Sequence, residues 1–257
     1  MPFITVDSHN LFYAQVGQPM AGRPSLVLLH GAGGSHLVWP GEVLRLPNTA
    51  VFALDLPGHG RSSGPGCQAV SAYAKFVAGF LAACGLNEVV LIGHSLGGAI
   101  AQTLAVQRHA AVRGLVLIGT GSRLRVAEAI LGQIVPDFQT AVDTINHFAW
   151  SDHTPRPVVE HGRSFLANTD PQVMLGDFTA CNTFDISQEL AHINQPALVV
   201  AAEDDHLTPV KYGRFLADHI PNSQIVILPN AGHMMMVEQP TAVAAAIRQF
   251  LESQAWG

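Results

Sequence analysis

Charge is scarce in this chain of 257 residues: Asp, Glu, Lys and Arg together make up 12 %, against 48 % for hydrophobic residues. Disordered chains show the opposite balance, so the composition calls for a packed core. Cations are the scarcer sign, with 13 Lys and Arg against 19 Asp and Glu, for a net charge of −6. They lie scattered, with no basic stripe to neutralise a phosphate backbone, which argues against a nucleic-acid partner. The same scarcity weighs against a heavily phosphorylated substrate such as a CoA thioester. Three cysteines, Cys67, Cys84 and Cys181, form no Cys-x-x-Cys pair and no even-numbered framework. They read as small apolar side chains, and neither a disulfide scaffold nor a metal site is expected. No apolar run reaches the roughly 18 residues of a membrane span. The opening Met-Pro-Phe-Ile-Thr-Val-Asp lacks the basic start and apolar stretch of a signal peptide. A cytoplasmic protein without a membrane partner is expected. Linker-like tracts and fixed-period repeats are missing too, so one α/β domain is expected rather than two separate ones.

What is present is alternation. Phe3–Val6 and Leu11–Val16, split by Ser8, His9 and Asn10, read as a hairpin. Six apolar runs of strand length follow: Ser25–His30, Ala50–Leu54, Glu88–Gly93, Gly114–Gly119, Ala197–Ala201 and Gln224–Leu228. Continuous runs of Val, Leu and Ile fit strands covered on both faces, as in a parallel sheet. Helical spacing marks Ala69–Cys84, Leu96–Arg108, Val210–Ile220 and Ala242–Leu251 between them. The order predicts an α/β fold. From about 121 to 195 the rhythm breaks, and no convincing sheet strand occurs. The stretch is too long for a structureless loop in a compact domain. It predicts a helical cap inserted after the sixth strand, over a core of residues 1–120 and 196–257. Ligands bind at the carboxyl edge that such a cap would cover.

The chemistry concentrates in short motifs. Gly93-His94-Ser95-Leu96-Gly97-Gly98 follows the strand Val89–Ile92 and precedes a helix. An isolated Gly-x-Ser-x-Gly is often only a glycine-rich turn, but strand and helix flanks are what a nucleophile elbow requires. Ser95 at the tip is the candidate nucleophile, and the helix behind it offers free N–H groups to an oxyanion. His94 is expected to point away from the tip and to pack.

A serine hydroxyl needs a base. His233 follows the last strand, at the sheet edge that carries the elbow. The other twelve histidines, His59 among them, read as surface or packing residues. The acid that orients the base comes from the loop after Ala197–Ala201, where Asp204 and Asp205 both qualify; Gly119–Leu124 holds no carboxylate. Glycines in His30-Gly31-Ala32-Gly33-Gly34 let backbone approach a substrate, so the Ala32 and Leu96 amides form the expected oxyanion hole. Losing one such donor typically costs about 3 kcal/mol of transition-state stabilisation.

In this order, His30-Gly31, Asp55-Leu56-Pro57-Gly58-His59-Gly60-Arg61-Ser62, the elbow, Asp205-x-x-x-Pro209 and Gly232-His233 resemble the α/β-hydrolase superfamily over nearly the whole chain. The resemblance is to its small capped esterases, enol-lactonases, haloperoxidases and C–C bond hydrolases. It implies the α/β-hydrolase fold, an acyl-enzyme on Ser95 and no cofactor. It selects Asp205, four residues before Pro209, as the acid. It implies that the Asp55–Ser62 segment shapes a loop beside the site without a catalytic role.

Departures narrow the chemistry. Haloalkane dehalogenases and epoxide hydrolases are similar but carry aspartate where Ser95 stands. C–C hydrolases often place an aromatic residue after the histidine, whereas Met234-Met235-Met236 follows here. Hydrolysis of small carboxylic esters is therefore the expected activity. A C–C hydrolase or enol-lactonase on the same triad, and a small-molecule receptor with little turnover, are the alternatives. Met234, Trp150 and Phe148 are candidate pocket-lining residues. Arg123 and Arg125 either meet a substrate carboxylate or stand in solvent.

Overall fold

The computed structural model describes residues 3–256. In chain order its elements are β1 (Phe3–Val6), β2 (His9–Val16), β3 (Ser25–Leu29), α1 (Gly41–Leu44), β4 (Val51–Leu54), α2 (Val70–Ala83), β5 (Val89–His94), α3 (Leu96–Val106) and β6 (Val112–Ile118). Four helices follow: α4 (Glu128–Gln133), α5 (Phe138–Ala149), α6 (Arg156–Ala167) and α7 (Pro171–Thr183). The chain ends in β7 (Ala197–Ala202), α8 (Val210–His219), β8 (Ser223–Leu228), α9 (Met235–Glu238) and α10 (Pro240–Ser253).

The eight strands form one sheet in the order β1-β2-β4-β3-β5-β6-β7-β8. β1 and β2 pair antiparallel, β2 meets β4 antiparallel, and every other pairing is parallel. β3, β4, β5 and β7 are buried along their whole length, which explains their unbroken apolar sequence. Alternate residues feed opposite faces. Val27, Leu29, Leu91 and Leu117 pack with α2 and α3 on one side. Leu26, Leu28, Ile92 and Ile118 pack with α1 and α10 on the other. The predicted strands and helices recur with ends shifted by one or two residues.

The chain leaves β3 toward α1 on one face and leaves β5 toward α3 on the other. Adjacent carboxyl ends that part in this way open a crevice between β3 and β5, where open α/β sheets bind ligands. Helices α4 to α7 lie between β6 and β7 in sequence. Ile130, Ile134, Val142, Ile145 and Met174 give them a small apolar cluster of their own. Among the described residues no helix is long and apolar enough to cross a membrane.

Candidate active site

Ser95 is the one residue between β5 and α3, at φ +52° and ψ −115°. A side chain at positive φ is strained, and the neighbours explain how the turn is tolerated. A Cβ on Gly93 would stand 2.3 Å from the Gly97 carbonyl, and one on Gly97 2.0 Å from the Leu29 oxygen. Only glycine lets α3 start this close to the sheet. The Ser95 N–H donates to the Ile118 carbonyl at 3.0 Å, and Thr120 Oγ1 donates to the Ser95 carbonyl at 2.8 Å. The peptide is thus fixed on both sides, while among the described residues the hydroxyl has no hydrogen-bond partner. It faces an open cavity.

His233 lies between β8 and α9 and lines the same cavity. Its Nδ1 is 2.9 Å from Asp205 Oδ2. Asp205 is buried. Its Oδ1 accepts the N–H groups of Leu207 and Thr208 at 2.9 and 2.7 Å, and its Oδ2 accepts the Thr208 hydroxyl at 2.7 Å. Burial alone would raise the pKa of this carboxyl. The His233 ring and the Thr208 donors outweigh burial and bring it down to about 2. An ionised acceptor on Nδ1 keeps the proton there and leaves the Nε2 lone pair free. Asp204 turns elsewhere: its Oδ2 accepts the Ser151 hydroxyl at 2.6 Å. Thr208 escaped sequence reasoning, its only mark being its place between Asp205 and Pro209.

His94 does not point away from the site. Its ring packs on the His233 ring with centroids 4.6 Å apart, and its Nε2 donates to the His233 carbonyl at 3.0 Å. Burial, with the neighbouring His233, lowers its pKa to about 3, so it is a neutral support for the His233 backbone. The elbow turns its preceding residue toward β8, which the motif alone does not reveal. Glu238 fixes the same loop from below. Its Oε2 accepts the Gly232 N–H at 2.8 Å and its Oε1 the Ser151 N–H at 2.9 Å, together with the Thr154 hydroxyl.

The loop after β3 completes the floor. Gly31, Ala32, Gly33 and Gly34 all line the cavity. The Leu96 side chain is fully buried in the core, leaving its backbone N–H, at the first position of α3, as the group that can serve a ligand. Asp55 holds the neighbouring loops together: it accepts the amides of His36 at 2.6 Å and Arg61 at 2.9 Å. That is the shaping function implied for the Asp55–Ser62 segment.

The cavity measures about 410 Å³ and is roofed by α4 to α7. Met234, Trp150 and Phe148 lie in its wall, as do Phe165 and Phe178. The other aromatics of this stretch go elsewhere: Phe184 joins the main core and Phe138 packs within the helical cluster. Among the described residues no aspartate or glutamate lines it. Arg125 stands exposed at its rim, whereas Arg123 pairs with Asp185 at 3.8 Å away from it. Among the described residues no cluster of His, Cys, Asp and Glu is arranged to hold a metal ion.

A strained serine between a parallel strand and a helix, over a buried His–Asp pair, defines a class of fold and site. Residues 26–246 match the alpha/beta hydrolase family, and the chain belongs to it. The pimeloyl-[acyl-carrier protein] methyl ester esterase of Yersinia enterocolitica is 28 % identical, over 90 % of this chain and 94 % of that enzyme. The structure of a thermophilic esterase is 32 % identical, with a TM-score of 0.86 over 97 % of this chain and 96 % of that one. The enol-lactonase from Burkholderia xenovorans LB400 superposes with a TM-score of 0.91 over 98 % of this chain and all of that one. At 22 % identity that likeness is one of fold.

Proposed function

We propose that the protein hydrolyses small carboxylic esters through an acyl-enzyme on Ser95. The observation that carries this reading is the Ser95 hydroxyl, without a hydrogen-bond partner among the described residues, at the floor of a cavity shared with His233, whose Nδ1 is held by buried Asp205. In the first step His233 Nε2 takes the hydroxyl proton as Oγ attacks the ester carbonyl. Asp205 keeps the ring in the required tautomer and stabilises its charged form. Negative charge builds on the carbonyl oxygen, against the Ala32 and Leu96 amides and the positive end of α3. The alcohol leaves with the proton from His233. Water, deprotonated by the same ring, then attacks the acyl-enzyme and releases the acid. No step calls for a cofactor or a metal. The largely apolar wall, with Met234, Trp150 and Phe148, suits an uncharged acyl or alcohol group. The relatives and structural neighbours named as esterases favour this reading over a receptor with little turnover.

The deciding experiment is turnover on a panel of p-nitrophenyl acetate and butyrate, a lactone, a thioester and a vinylogous ring-fission diketone. The expected result is ester hydrolysis that falls at least about a thousandfold in Ser95→Ala, with a fluorophosphonate label on Ser95. Turnover of the diketone or lactone with inert esters would move the protein to C–C hydrolysis or lactone opening. No turnover and no label would overturn the acyl-enzyme itself.

A further inference from the structure

The helices between β6 and β7 reach below the cavity wall. Asp177, on α7, is completely buried, and segments from the sheet side occupy both its oxygens. Oδ2 accepts the Gly33 N–H at 2.8 Å and faces His59 Nε2 at 2.7 Å. Oδ1 accepts the Tyr73 hydroxyl at 2.5 Å. Gly33 belongs to the loop after β3, and its carbonyl accepts from Thr169 Oγ1 at 2.9 Å, just ahead of α7. Both polar groups of the Gly33 backbone are therefore held by the α4–α7 segment. This residue sits at φ +64°, and a Cβ there would lie 2.7 Å from Leu166 Cδ1. The left-handed backbone favours glycine, and a Cβ would have to displace the end of the Leu166 side chain.

The other end of the loop is fastened to the sheet. The Leu56 N–H donates to His30 Nε2 at 3.1 Å, so the His30 proton is on Nδ1, which donates to the Gly31 carbonyl at 2.8 Å. The Gly34 N–H closes on that same carbonyl at 3.1 Å. Ala32 hangs between two pinned neighbours, Gly31 fixed by the sheet and Gly33 fixed by the helices.

The ion pair behind this tie is unusual for a protein poor in charge. His59 Nδ1 faces the Pro57 carbonyl at 3.0 Å. With acceptors at both ring nitrogens, His59 carries both protons and its charge answers that of Asp177. Burial pulls its pKa down, but Asp177 and the Pro57 carbonyl outweigh burial and hold it above the ordinary value. A buried pair of this kind is a poor source of net stability against an apolar substitute, so its placement calls for another account.

We propose that Asp177, seconded by Thr169, is a positioning residue for the oxyanion hole: it holds the Gly33 peptide and thereby aims the Ala32 N–H at the carbonyl oxygen of a substrate on Ser95. The proposal rests on the acyl-enzyme reading. It makes docking of the helical segment a condition of catalysis, because the donor that stabilises the transition state is set by a side chain from that segment. A displacement of about 1 Å at such a donor is enough for a loss of about a hundredfold.

Three substitutions test it. Asp177→Leu puts a larger apolar side chain there and removes every acceptor. Thr169→Val removes only the donor to the Gly33 carbonyl, and serves if Asp177→Leu does not fold. Tyr73→Phe removes a bond to the same carboxylate but none to the loop. Turnover is measured per active site titrated with fluorophosphonate. The expected result is a fall in kcat of about 10- to 100-fold for Asp177→Leu and about 3- to 10-fold for Thr169→Val. KM should stay within about twofold, and Tyr73→Phe should stay near wild type. Equal kcat per titrated site in all three, with only lowered Tm, overturns the proposal and leaves the acyl-enzyme reading intact. If wild-type protein turns over no substrate, that reading fails instead. Hydrogen exchange over residues 31–36 then decides the tie: faster in Asp177→Leu but not Tyr73→Phe supports it, and unchanged protection in Asp177→Leu overturns it.

Discussion

At Ser95 an L-residue occupies a backbone conformation that favours glycine, at φ +52°. The strain, about 1–3 kcal/mol for such a residue, is held in place by the Ile118 carbonyl and the Thr120 hydroxyl. A reversal between strand and helix over one residue leaves no other conformation, and it is what lifts the hydroxyl into the cavity. Ser95→Gly and Ser95→Ala should both be inactive, yet they should differ in stability. Glycine relieves the strain and loses up to about 1 kcal/mol through the greater freedom of its unfolded chain. The Ser95→Gly protein is expected to be the more stable of the two by about 1 kcal/mol in urea unfolding. A more stable Ser95→Ala would mean that the turn is not strained. The carboxylates show the same economy. Asp204 and Asp205 are adjacent and chemically identical, but only Asp205 receives the Leu207 and Thr208 amides and faces His233.

Among the elements, the contact of β5 and α3 against β3 is the tightest in the site. α3 is buried through almost its whole length, and its first turn lies against the carbonyls of Leu29 and His30 because Gly97 has no side chain. Gly97→Ala would force a Cβ to within 2.0 Å of backbone that cannot rotate away. A loss of at least about 2–3 kcal/mol is expected, together with activity, since the Leu96 amide moves with the helix. Gly132, on α4, meets nothing within 4 Å. Gly132→Ala should raise stability by about 0.5–1 kcal/mol through helix propensity and leave turnover unchanged. Chemical denaturation of the pair checks both signs, and similar losses at both positions would remove the close-packing account.

Over the whole molecule, charges and neutral imidazoles buried under the helical segment couple stability to pH. His30 and His94 are both depressed, chiefly by burial, His94 to about 3 and His30 well below its ordinary value. Below pH ~6.5 the unfolded chain takes up protons at these positions that the folded one refuses, so stability falls with acid, by about 1.4 kcal/mol per pH unit for each group. Asp205 adds to the loss once the pH drops below its ordinary carboxylate range toward about 2. His59 works in the other direction. Its folded pKa is raised, so its contribution is complete below pH ~6.5 and is lost as the pH climbs through the folded value. Urea midpoints from pH 4 to 9 should trace a dome with its top near neutrality. A midpoint that rises steadily toward pH 4 would contradict the burial of the neutral rings.

Much of this protein could be read from short stretches of chain. Apolar runs of strand length marked six parallel strands and helical spacing marked α2, α3, α8 and α10, because burial on two faces or one stripe leaves a local period. The turn at Ser95 and the glycine-rich loop around Ala32 were legible for the same reason: each is a few consecutive residues with demanding backbone geometry, whereas the order Ser95, Asp205, His233 relates distant stretches of the chain. The choice of Asp205 over Asp204 needed the family resemblance, since their residue pattern was equal. Within 121–195 the sequence indicated helices but not their contacts. Which aromatics face the cavity, Trp150 and Phe178 but not Phe184, depends on how α4 to α7 lie on the sheet. His94 read as packing because its partner, the His233 carbonyl, is 139 residues away. Asp177 was silent for a like reason. Its donors Gly33, His59 and Tyr73 lie 144, 118 and 104 residues off. A carboxylate buried by donors from three distant segments leaves no periodicity around itself, and only the folded chain brings those donors together.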